Sequence, residues 1–401
     1  MSKVPRILDG IGKTPLSVKQ IQWLVGLGIG MAMLGLTLPS ATLPLYARQF
    51  DVSRTAVGWL ITSFAVARLV FDLVGGVLAD RLGTRRVLVW SSVLIAVSSV
   101  AAATASGYPQ LLVSRILEGL GSAGFSTAAQ ITLVRSTGGE DLGRAMGSYQ
   151  VGLVTGVAVG PVVGGVAAEL GDLRTPFWIY AGVGLALIAI SYMLGESASR
   201  FDPTSRAGIR SILTWPYTGL LFIGFALFVM RFGARFALFP LYASEVVGLP
   251  VSSIGLLIAV PAMVNIGIVA RVGRLLDSLG RVKIATTGLI ISAACIISFS
   301  YTTQLWTLVA ISAVFGVGSS MASVSLPTMV ADLAPSGREG TAFGIYRAAG
   351  DLGAVVGPVA ITSMAYDGSF RNGFLLSGVL LAVAAFIATR IGETKPELLD
   401  V

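Results

Sequence analysis

The sequence predicts an all-α polytopic membrane protein with twelve transmembrane helices in two pseudo-symmetric six-helix bundles. Three observations support this prediction. Of the 401 residues, 54% are apolar and only 12% are charged, whereas soluble domains are about 25% charged. Twelve mainly apolar segments reach the roughly 20 residues that a membrane-spanning helix needs. Features of the first half of the chain also recur in the second half at a constant offset.

The twelve predicted spans are separated by short polar loops. Several contain Gly or Pro, which neighbouring helices can support inside a membrane. The spans cover residues 21–47, 56–79, 87–106, 109–134, 142–168, 174–195, 215–244, 251–273, 282–302, 304–331, 339–366 and 371–392. An even number of spans places both termini on the same side of the membrane.

The positive charges select that side. With the N-terminus inside, nineteen of the 28 Lys and Arg residues fall in cytoplasmic tails and loops, and only four fall in outer loops. Cytoplasmic loops of membrane proteins carry such an excess. We therefore interpret the net charge of +8 as a signal of orientation rather than of nucleic-acid binding. The predicted location is the cell inner (cytoplasmic) membrane, with both termini cytoplasmic.

The second half repeats the first at an offset of 197 residues. Gly58 falls on Gly255, Asp80 on Asp277, and the Gly160-Pro161 pair on residues 357–358. Duplicated bundles around a central site are typical of transporters that work by alternating access. The predicted domains are an N-terminal tail (1–20), a first bundle (21–195), a linker (196–214), a second bundle (215–393) and a C-terminal tail (394–401).

The composition excludes several kinds of chemistry. The chain has no histidine and one cysteine, Cys295, so a Ser-His-Asp triad, a His-ligated metal and an internal disulfide are impossible. No phosphate-binding loop of the type G-x-x-x-x-G-K-[ST] is present. We therefore expect no cofactor, no metal and no enzymatic activity.

Three glycine-containing motifs occur in order along the first half. The first follows span 2, with Gly76, Leu78, Ala79, Asp80, Arg81, Gly83, Arg85 and Arg86. The second lies in span 4, with Leu111, Arg115, Gly119 and Gly121. The third lies in span 5, with Gly156, Gly160, Pro161, Gly164 and Gly165. With these motifs the chain resembles the major facilitator superfamily, and the third motif resembles its twelve-span drug:proton antiporter branch in particular.

The resemblance implies roles for these residues. At the loop after span 2, Asp80 is expected to bind the N-terminus of a helix from the other bundle, while the three arginines bind carboxylates or lipid phosphates. Such a latch closes the inner side and breaks when the bundles rock. The alternative is an ordinary cationic inner loop. The glycines of span 5 are expected to allow close helix packing and to limit proton leakage. The alternative is ordinary packing of small residues with no further role.

Ionisable residues inside spans are energetically unfavourable and usually functional. Without histidine, the acids able to carry a proton are Glu118, Asp72 and Asp351. Glu118 is the first candidate, because Arg115 lies one turn away on a helix that lines the cavity in the resembled fold. The alternative is a structural ion pair.

Span 7 carries two arginines one turn apart, Arg231 and Arg235, with no acid nearby in sequence. Together with Arg115 and the aromatic Phe232, they are candidate substrate-binding residues and favour a substrate with an anionic group. The alternatives are that Arg235 reaches the outer surface and that the phenylalanines of this span face lipid.

Spans 2 and 11 each carry an Arg–Asp couple, Arg68 with Asp72 and Arg347 with Asp351. At about 1.5 Å per residue, Asp72 and Arg347 lie at similar depths, as do Arg68 and Asp351. The sequence therefore predicts a four-membered network between the bundles. The alternative is two separate pairs within the helices.

The predicted function is proton-coupled efflux of small amphiphilic compounds, with or without an anionic group, by a monomer in the lipid bilayer. Its partners are the small-molecule substrate and protons. One alternative is a proton-coupled uptake symporter for an organic anion. Another, from a different class, is a non-transporting membrane receptor or lipid enzyme.

Overall fold

The computed structural model describes residues 16–137, 142–194, 214–334, 339–365 and 369–394. In these ranges the chain is helical and contains no strand, so the all-α prediction is confirmed. The helices are α1 (Val18–Thr37), α2 (Leu43–Arg48), α3 (Arg54–Leu82), α4 (Thr84–Ala103), α5 (Tyr108–Ser136), α6 (Leu142–Leu170), α7 (Thr175–Met193), α8 (Trp215–Val229), α9 (Phe239–Glu245), α10 (Val251–Leu279), α11 (Arg281–Phe299), α12 (Leu305–Leu333), α13 (Glu339–Ser363) and α14 (Arg371–Ile391).

Two of the predicted spans are not single straight helices. In span 1, a 3₁₀ turn at Leu38–Ser40 separates α1 from α2, where Pro39 and Pro44 lack the N–H groups that continue a helix. In span 7, a π-helix at Met230–Leu238 joins α8 to α9. We call these nine residues the π segment. Sequence periodicity did not predict it.

Ten helical segments in the described ranges are long and apolar enough to cross a membrane. The predicted spans 4 and 11 correspond to α5 and α13, which have 29 and 25 residues but are not among the ten. These helices carry the Arg115–Glu118 and Arg347–Asp351 couples, and their charges lower the hydropathy. Large apolar side chains such as Trp23 and Trp306 are exposed on the helices, as expected for a surface in contact with lipid.

The helix bounds show the internal repeat directly. Both ends of α3 and α10 differ by 197 residues, and so do both ends of α5 and α12. The same offset relates Gly83 and Gly280, which precede α4 and α11 with φ values of 87° and 90°. This backbone conformation is accessible to glycine but unfavourable for other residues. The duplication therefore preserved the loops as well as the helices.

The structure divides into two compact units. The first comprises Met1–Tyr46 and Ser63–Thr204, and the second comprises Ala47–Thr62 and Ser205–Val401. The second unit therefore includes the first part of α3. Within it, the Thr62 hydroxyl donates to the Val355 carbonyl oxygen of α13 at 2.6 Å. The domain boundaries expected from the sequence stay a prediction.

In the first unit, α1 and α6 form the most extensive helix contact. A side chain added at Gly156 of α6 would overlap with the Gly30 carbonyl oxygen of α1, so the two backbones approach closely. A side chain at Gly160 would similarly overlap with Thr37. The Thr37 hydroxyl also donates to the Gly156 carbonyl oxygen at 3.2 Å. The glycine motif of span 5 thus lies against span 1.

Candidate functional site

The most buried charges of the first unit belong to Arg115 and Glu118 on α5. Their side chains form an ion pair between Arg115 Nη1 and Glu118 Oε2, and their exposed fractions are 4% and 1%. The Arg115 guanidinium also lies over the Phe64 ring, 4.8 Å from its centroid. One helical turn separates the two charges, so they pair without help from another element.

This ion pair leaves hydrogen-bonding capacity unused. Glu118 Oε1 and Arg115 Nε are buried without a hydrogen-bond partner among the described residues. A buried polar atom that makes no hydrogen bond destabilises a protein and often indicates a functional role. The second carboxylate oxygen of Glu118 is therefore available to accept a proton or a hydrogen bond.

Tyr180 of α7 belongs to the same buried region. The side chain is fully buried, and Glu118, Arg115 and Arg68 are charged groups in its surroundings. Its hydroxyl has no hydrogen-bond partner in the described ranges. Sequence reasoning missed Tyr180, because a single tyrosine in an apolar span carries no distinguishing pattern. We call Arg115, Glu118 and Tyr180 the buried polar cluster.

Arg68 and Asp72 pair within α3, with Arg68 Nε 3.8 Å from Asp72 Oδ2. The Thr127 hydroxyl of α5 donates to Asp72 Oδ1 at 3.2 Å, which links this couple to the helix of the buried polar cluster. Arg347 and Asp351 lie one turn apart on α13 in the second unit. The predicted network between the two couples stays a prediction.

The π segment places Arg231 and Arg235 beside aromatic rings. Both guanidinium carbons lie close to the Phe236 ring, at 6.0 Å and 5.9 Å from its centroid. Arg235 also donates through Nη2 to the Ile258 carbonyl oxygen of α10, and Arg231 lies 6.0 Å from the centroid of Phe232. Neither arginine forms an ion pair with a carboxylate in the part of the chain that the structure describes.

A small cavity opens beside Arg235 in the second unit. It has room for about one water-sized group. Its lining combines this guanidinium with the Ser312 hydroxyl-bearing side chain and four aromatic rings, those of Phe239, Phe299, Phe315 and Phe374. The π segment therefore offers positive charge in an otherwise apolar environment.

The loop after span 2 is only partly described. Arg81 and Arg86 are exposed, and the Arg85 guanidinium lies over the Tyr192 ring at 5.5 Å. Gly76 and the side chain of Asp80 lie outside the residues whose packing is described. The latch therefore stays a prediction.

A second cluster missed by sequence reasoning joins Arg48, Arg54 and Glu245 in the second unit. Arg48 Nε lies 3.2 Å from Glu245 Oε1, and Arg54 Nη2 lies 2.6 Å from Glu245 Oε2. Arg54 additionally donates to the Ala365 carbonyl oxygen at 3.2 Å. The repeat offset of 197 residues relates Arg48 to Glu245, and this relation was the signal that could have found the pair.

A further ion pair among the described residues of the second unit lies at the start of α11, where Arg281 contacts Asp332 of α12. The Glu393 carboxylate accepts hydrogen bonds from the backbone N–H groups of Arg281 at 2.9 Å and Val282 at 3.3 Å. A carboxylate at a helix N-terminus is favourable because of the helix dipole. No group of three potential metal-ligating side chains occurs among the described residues.

Comparisons with known proteins place these features in context. A sequence profile of the Major Facilitator Superfamily matches residues 25–282 and 269–399. The chain is 27% identical to the multidrug resistance protein MdtG of Citrobacter koseri, over 93% of this chain and 95% of that protein. It is 26% identical to an uncharacterized MFS-type transporter of Methanocaldococcus jannaschii, over 89% and 94% of the two chains.

Solved structures show the same fold. A bacterial homolog of the human lysosomal transporter Spinster, in an inward-facing and unoccupied conformation, aligns with a TM-score of 0.76 at 15% identity, over 95% of this chain and 98% of that chain. A D-xylose–proton symporter aligns with a TM-score of 0.73 at 17% identity, over 94% and 97%.

Proposed function

Because this chain belongs to the Major Facilitator Superfamily, we propose that it exports small amphiphilic compounds in exchange for protons. Membership makes it a multi-pass membrane transporter of small molecules rather than an enzyme or a non-transporting receptor. Proton coupling, the direction of transport, a monomeric state and a cytoplasmic location of both termini are parts of the proposal.

The observation that carries the coupling is the buried Arg115–Glu118 pair. Glu118 is almost inaccessible to solvent, and one of its oxygens has no partner among the described residues. Binding of a proton neutralises this carboxylate and weakens its attraction to Arg115. The pair thus exists with Glu118 either ionised or protonated. If the inward-open and outward-open conformations of the transporter favour different protonation states of Glu118, transport is coupled to proton movement.

Export is supported by similarity to MdtG proteins, whose name refers to multidrug resistance and which align with this chain over more than 90% of its length. The glycine motif of span 5, which resembles the antiporter branch, also supports it. The substrate site of the proposal comprises Arg115, Arg231, Arg235 and Phe232. The alternative, an uptake symporter for an organic anion, uses the same arginines but carries its substrate in the opposite direction.

The proposal is tested with the full chain reconstituted in liposomes under a proton gradient, with fluorescent amphiphilic dyes as substrates. We expect Glu118→Gln to reduce gradient-driven transport by at least about 100-fold, the range typical for removal of an essential proton-transfer group. Substrate exchange without a gradient should survive, because it needs no change of protonation.

Two controls make this experiment decisive. Glu169→Gln removes an exposed carboxylate at the end of α6 and should leave transport unchanged. The double variant Arg115→Gln/Glu118→Gln removes both charges, so no buried charge is left unpaired and misfolding is separated from loss of coupling. Gradient-driven transport that persists in Glu118→Gln at the wild-type rate refutes the assignment of Glu118.

A further inference from the structure

We propose that the π segment of the second unit is a binding subsite for the acid group of organic anions, namely carboxylates and sulfonates attached to an apolar body. This inference rests on the proposed transport function for its biological meaning but not for its test. It assigns a substrate class to Arg231 and Arg235, and separate roles to the two residues.

The first argument is the charge of the segment. Two guanidinium groups lie in one membrane-spanning segment, and no carboxylate pairs with either of them in the described ranges. An arginine inside a membrane is unfavourable unless it is paired or faces water. A bound anion supplies the missing counter-charge, and the proximity of two like charges strengthens its attraction.

The second argument is the backbone. A run of nine π-helical residues is unusual, because π geometry normally occurs as single turns, frequently at functional sites. Arg231 and Arg235, four residues apart in this segment, both lie near the same ring, Phe236, at 6.0 Å and 5.9 Å from its centroid. Gly233, between them, packs against the carbonyl oxygen of Gly357 on α13, which holds the segment in place.

The two arginines differ in surroundings. Arg235 is partly buried and bound to the Ile258 carbonyl oxygen, which occupies only one of its five N–H donors. The water-sized cavity beside it admits an oxygen of an acid group but not an apolar body. Arg231 is exposed, and an exposed guanidinium on a membrane-spanning segment is stable only where water reaches it.

These differences assign the roles. Arg231 attracts the anion from a water-accessible space, and Arg235 fixes the acid oxygen through charge-assisted hydrogen bonds. The apolar body lies against partly exposed aromatic surface such as Phe232, which contacts both Phe228 and Phe236. A cation of the same size meets repulsion from both arginines, so the subsite discriminates by charge.

The test measures binding, not transport, on the full chain in neutral detergent. The probes share an eight-carbon tail and differ in head group: octanesulfonate, octanoate, octyltrimethylammonium and neutral octyl glucoside. We expect the two anions to bind the wild type, and Arg235→Gln to weaken them by about 10- to 100-fold, as for loss of a hydrogen bond to a charged group. Arg235→Lys should have an intermediate effect, because it keeps the charge and loses the planar fork.

Arg271→Gln serves as the matched control, since Arg271 is an exposed arginine of α10 outside the π segment and should leave anion binding unchanged. Equal binding of the anionic and cationic probes, or wild-type anion affinity in both Arg231→Gln and Arg235→Gln, overturns the proposal. Binding of phosphatidylglycerol, an anionic lipid, is measured in the same variants to distinguish a lipid head group from a soluble substrate. If binding of this lipid depends on the arginines and binding of octanesulfonate does not, the substrate assignment is wrong.

The outcome separates this subsite from the proposed function. If the protein binds anions through the arginines but shows no gradient-driven transport, the export hypothesis is contradicted and the subsite is supported. Gradient-driven export of cationic dyes with no arginine-dependent anion binding removes the subsite and leaves the export hypothesis.

Discussion

The hydroxyl group of Tyr180 is the clearest single-residue anomaly in the first unit. The ring is fully buried and packs so closely on α1 that a side chain at Gly35 would overlap with it. The hydroxyl nevertheless has no hydrogen-bond partner among the described residues. An unsatisfied buried polar group destabilises a protein by about 1–3 kcal/mol, so phenylalanine would suit the packing better. We therefore expect the hydroxyl to serve the proton chemistry of Glu118.

The variant Tyr180→Phe tests this expectation. No hydrogen bond is lost, so the thermal stability should be unchanged or slightly higher. We expect the pH profile of gradient-driven transport to shift, because loss of a polar group from the buried surroundings of Glu118 changes the free energy of protonating that carboxylate. Transport rates measured over a series of external pH values give the profile.

Tyr46 provides a matched control. It is also fully buried, but its hydroxyl donates to the carbonyl oxygens of Ala102 and Ala105, both at 3.2 Å. Tyr46→Phe should therefore lower stability by about 1 kcal/mol and leave the pH profile in place. If Tyr180→Phe behaves in the same way as Tyr46→Phe, the proposed role of the Tyr180 hydroxyl in proton chemistry is excluded.

Sequence reasoning could single out residues at which charge and apolar surroundings conflict. Arg115 and Glu118 are conspicuous in the sequence because charged residues are unfavourable, and therefore rare, in membrane spans. The structure shows that their side chains form a buried ion pair. Tyr180 has no such contrast, since tyrosine is common among apolar residues. Tyr180 is singled out by a buried hydroxyl that has no hydrogen-bond partner in the part of the chain that the structure describes, a property that only three-dimensional packing reveals.

At the scale of elements, charged residues of the candidate site lower the hydropathy by which membrane spans are recognised. The helices α5 and α13 are long enough to span a membrane but are absent from the ten segments that satisfy the criteria of length and hydropathy. Counting spans by apolar runs with a tolerance for internal charges recovered both. The π segment could not be recovered, because one-residue shifts in backbone hydrogen bonding leave no periodic trace in nine residues.

The connection between α2 and α3 and the end of α9 form a further functional element. Glu245 at the end of α9 binds both Arg48 and Arg54, and the exposed fractions of the three side chains lie between 21% and 38%. On the predicted topology this cluster lies on the outer side of the membrane. We expect it to stabilise the packing of the first turns of α3 within the second unit.

Replacing Glu245 with glutamine removes the only carboxylate of this cluster and leaves two arginines. Partly exposed pairs contribute up to about 1 kcal/mol each, which corresponds to about fivefold in an equilibrium constant. We expect a cysteine introduced at the buried position Thr62, in a Cys295→Ser background, to react several-fold faster with an impermeant thiol reagent in Glu245→Gln. The measurement is the labelling rate of intact cells.

Charge reversal supplies the control for this prediction. Arg54→Glu combined with Glu245→Arg restores one of the two ion pairs but leaves Arg48 beside an arginine, so the labelling rate should return only part of the way toward that of the parent protein. Glu169→Gln, which removes an exposed carboxylate of the first unit, should have no effect. Unchanged labelling in Glu245→Gln means that the cluster does not hold this packing.

At the scale of the whole molecule, duplication explains why so much could be predicted. Helices α3 and α5 have counterparts of identical length 197 residues later. A helix identified in the first half of the sequence therefore predicted a helix at the repeat-related position in the second half. The chemistry has nevertheless diverged between the halves. Arg48 of the first half corresponds to Glu245 of the second, and these repeat-related positions carry opposite charges that pair with each other.

The couples Arg68–Asp72 and Arg347–Asp351 show the same kind of divergence and lead to a prediction about the transporter as a whole. Both keep an i, i+4 spacing, but they lie on α3 and α13, which are not repeat-related. The sequence predicts that Asp72 and Arg347 lie at matched depths in the membrane. We expect the two couples to exchange partners during the transport cycle, which gives each charge a partner in every state.

A double-mutant cycle tests this exchange. Asp72→Asn alone should reduce transport and lower stability, by up to about 3–5 kcal/mol if Arg68 is left unpaired in a buried state. Adding Arg347→Gln should recover part of both losses, with a coupling energy of about 0.5–3 kcal/mol. Asp72→Asn combined with Arg271→Gln, which removes an exposed cation of α10, should be additive. Additive losses in the Asp72→Asn/Arg347→Gln variant as well would leave two independent pairs within the helices, and the network would have to be abandoned.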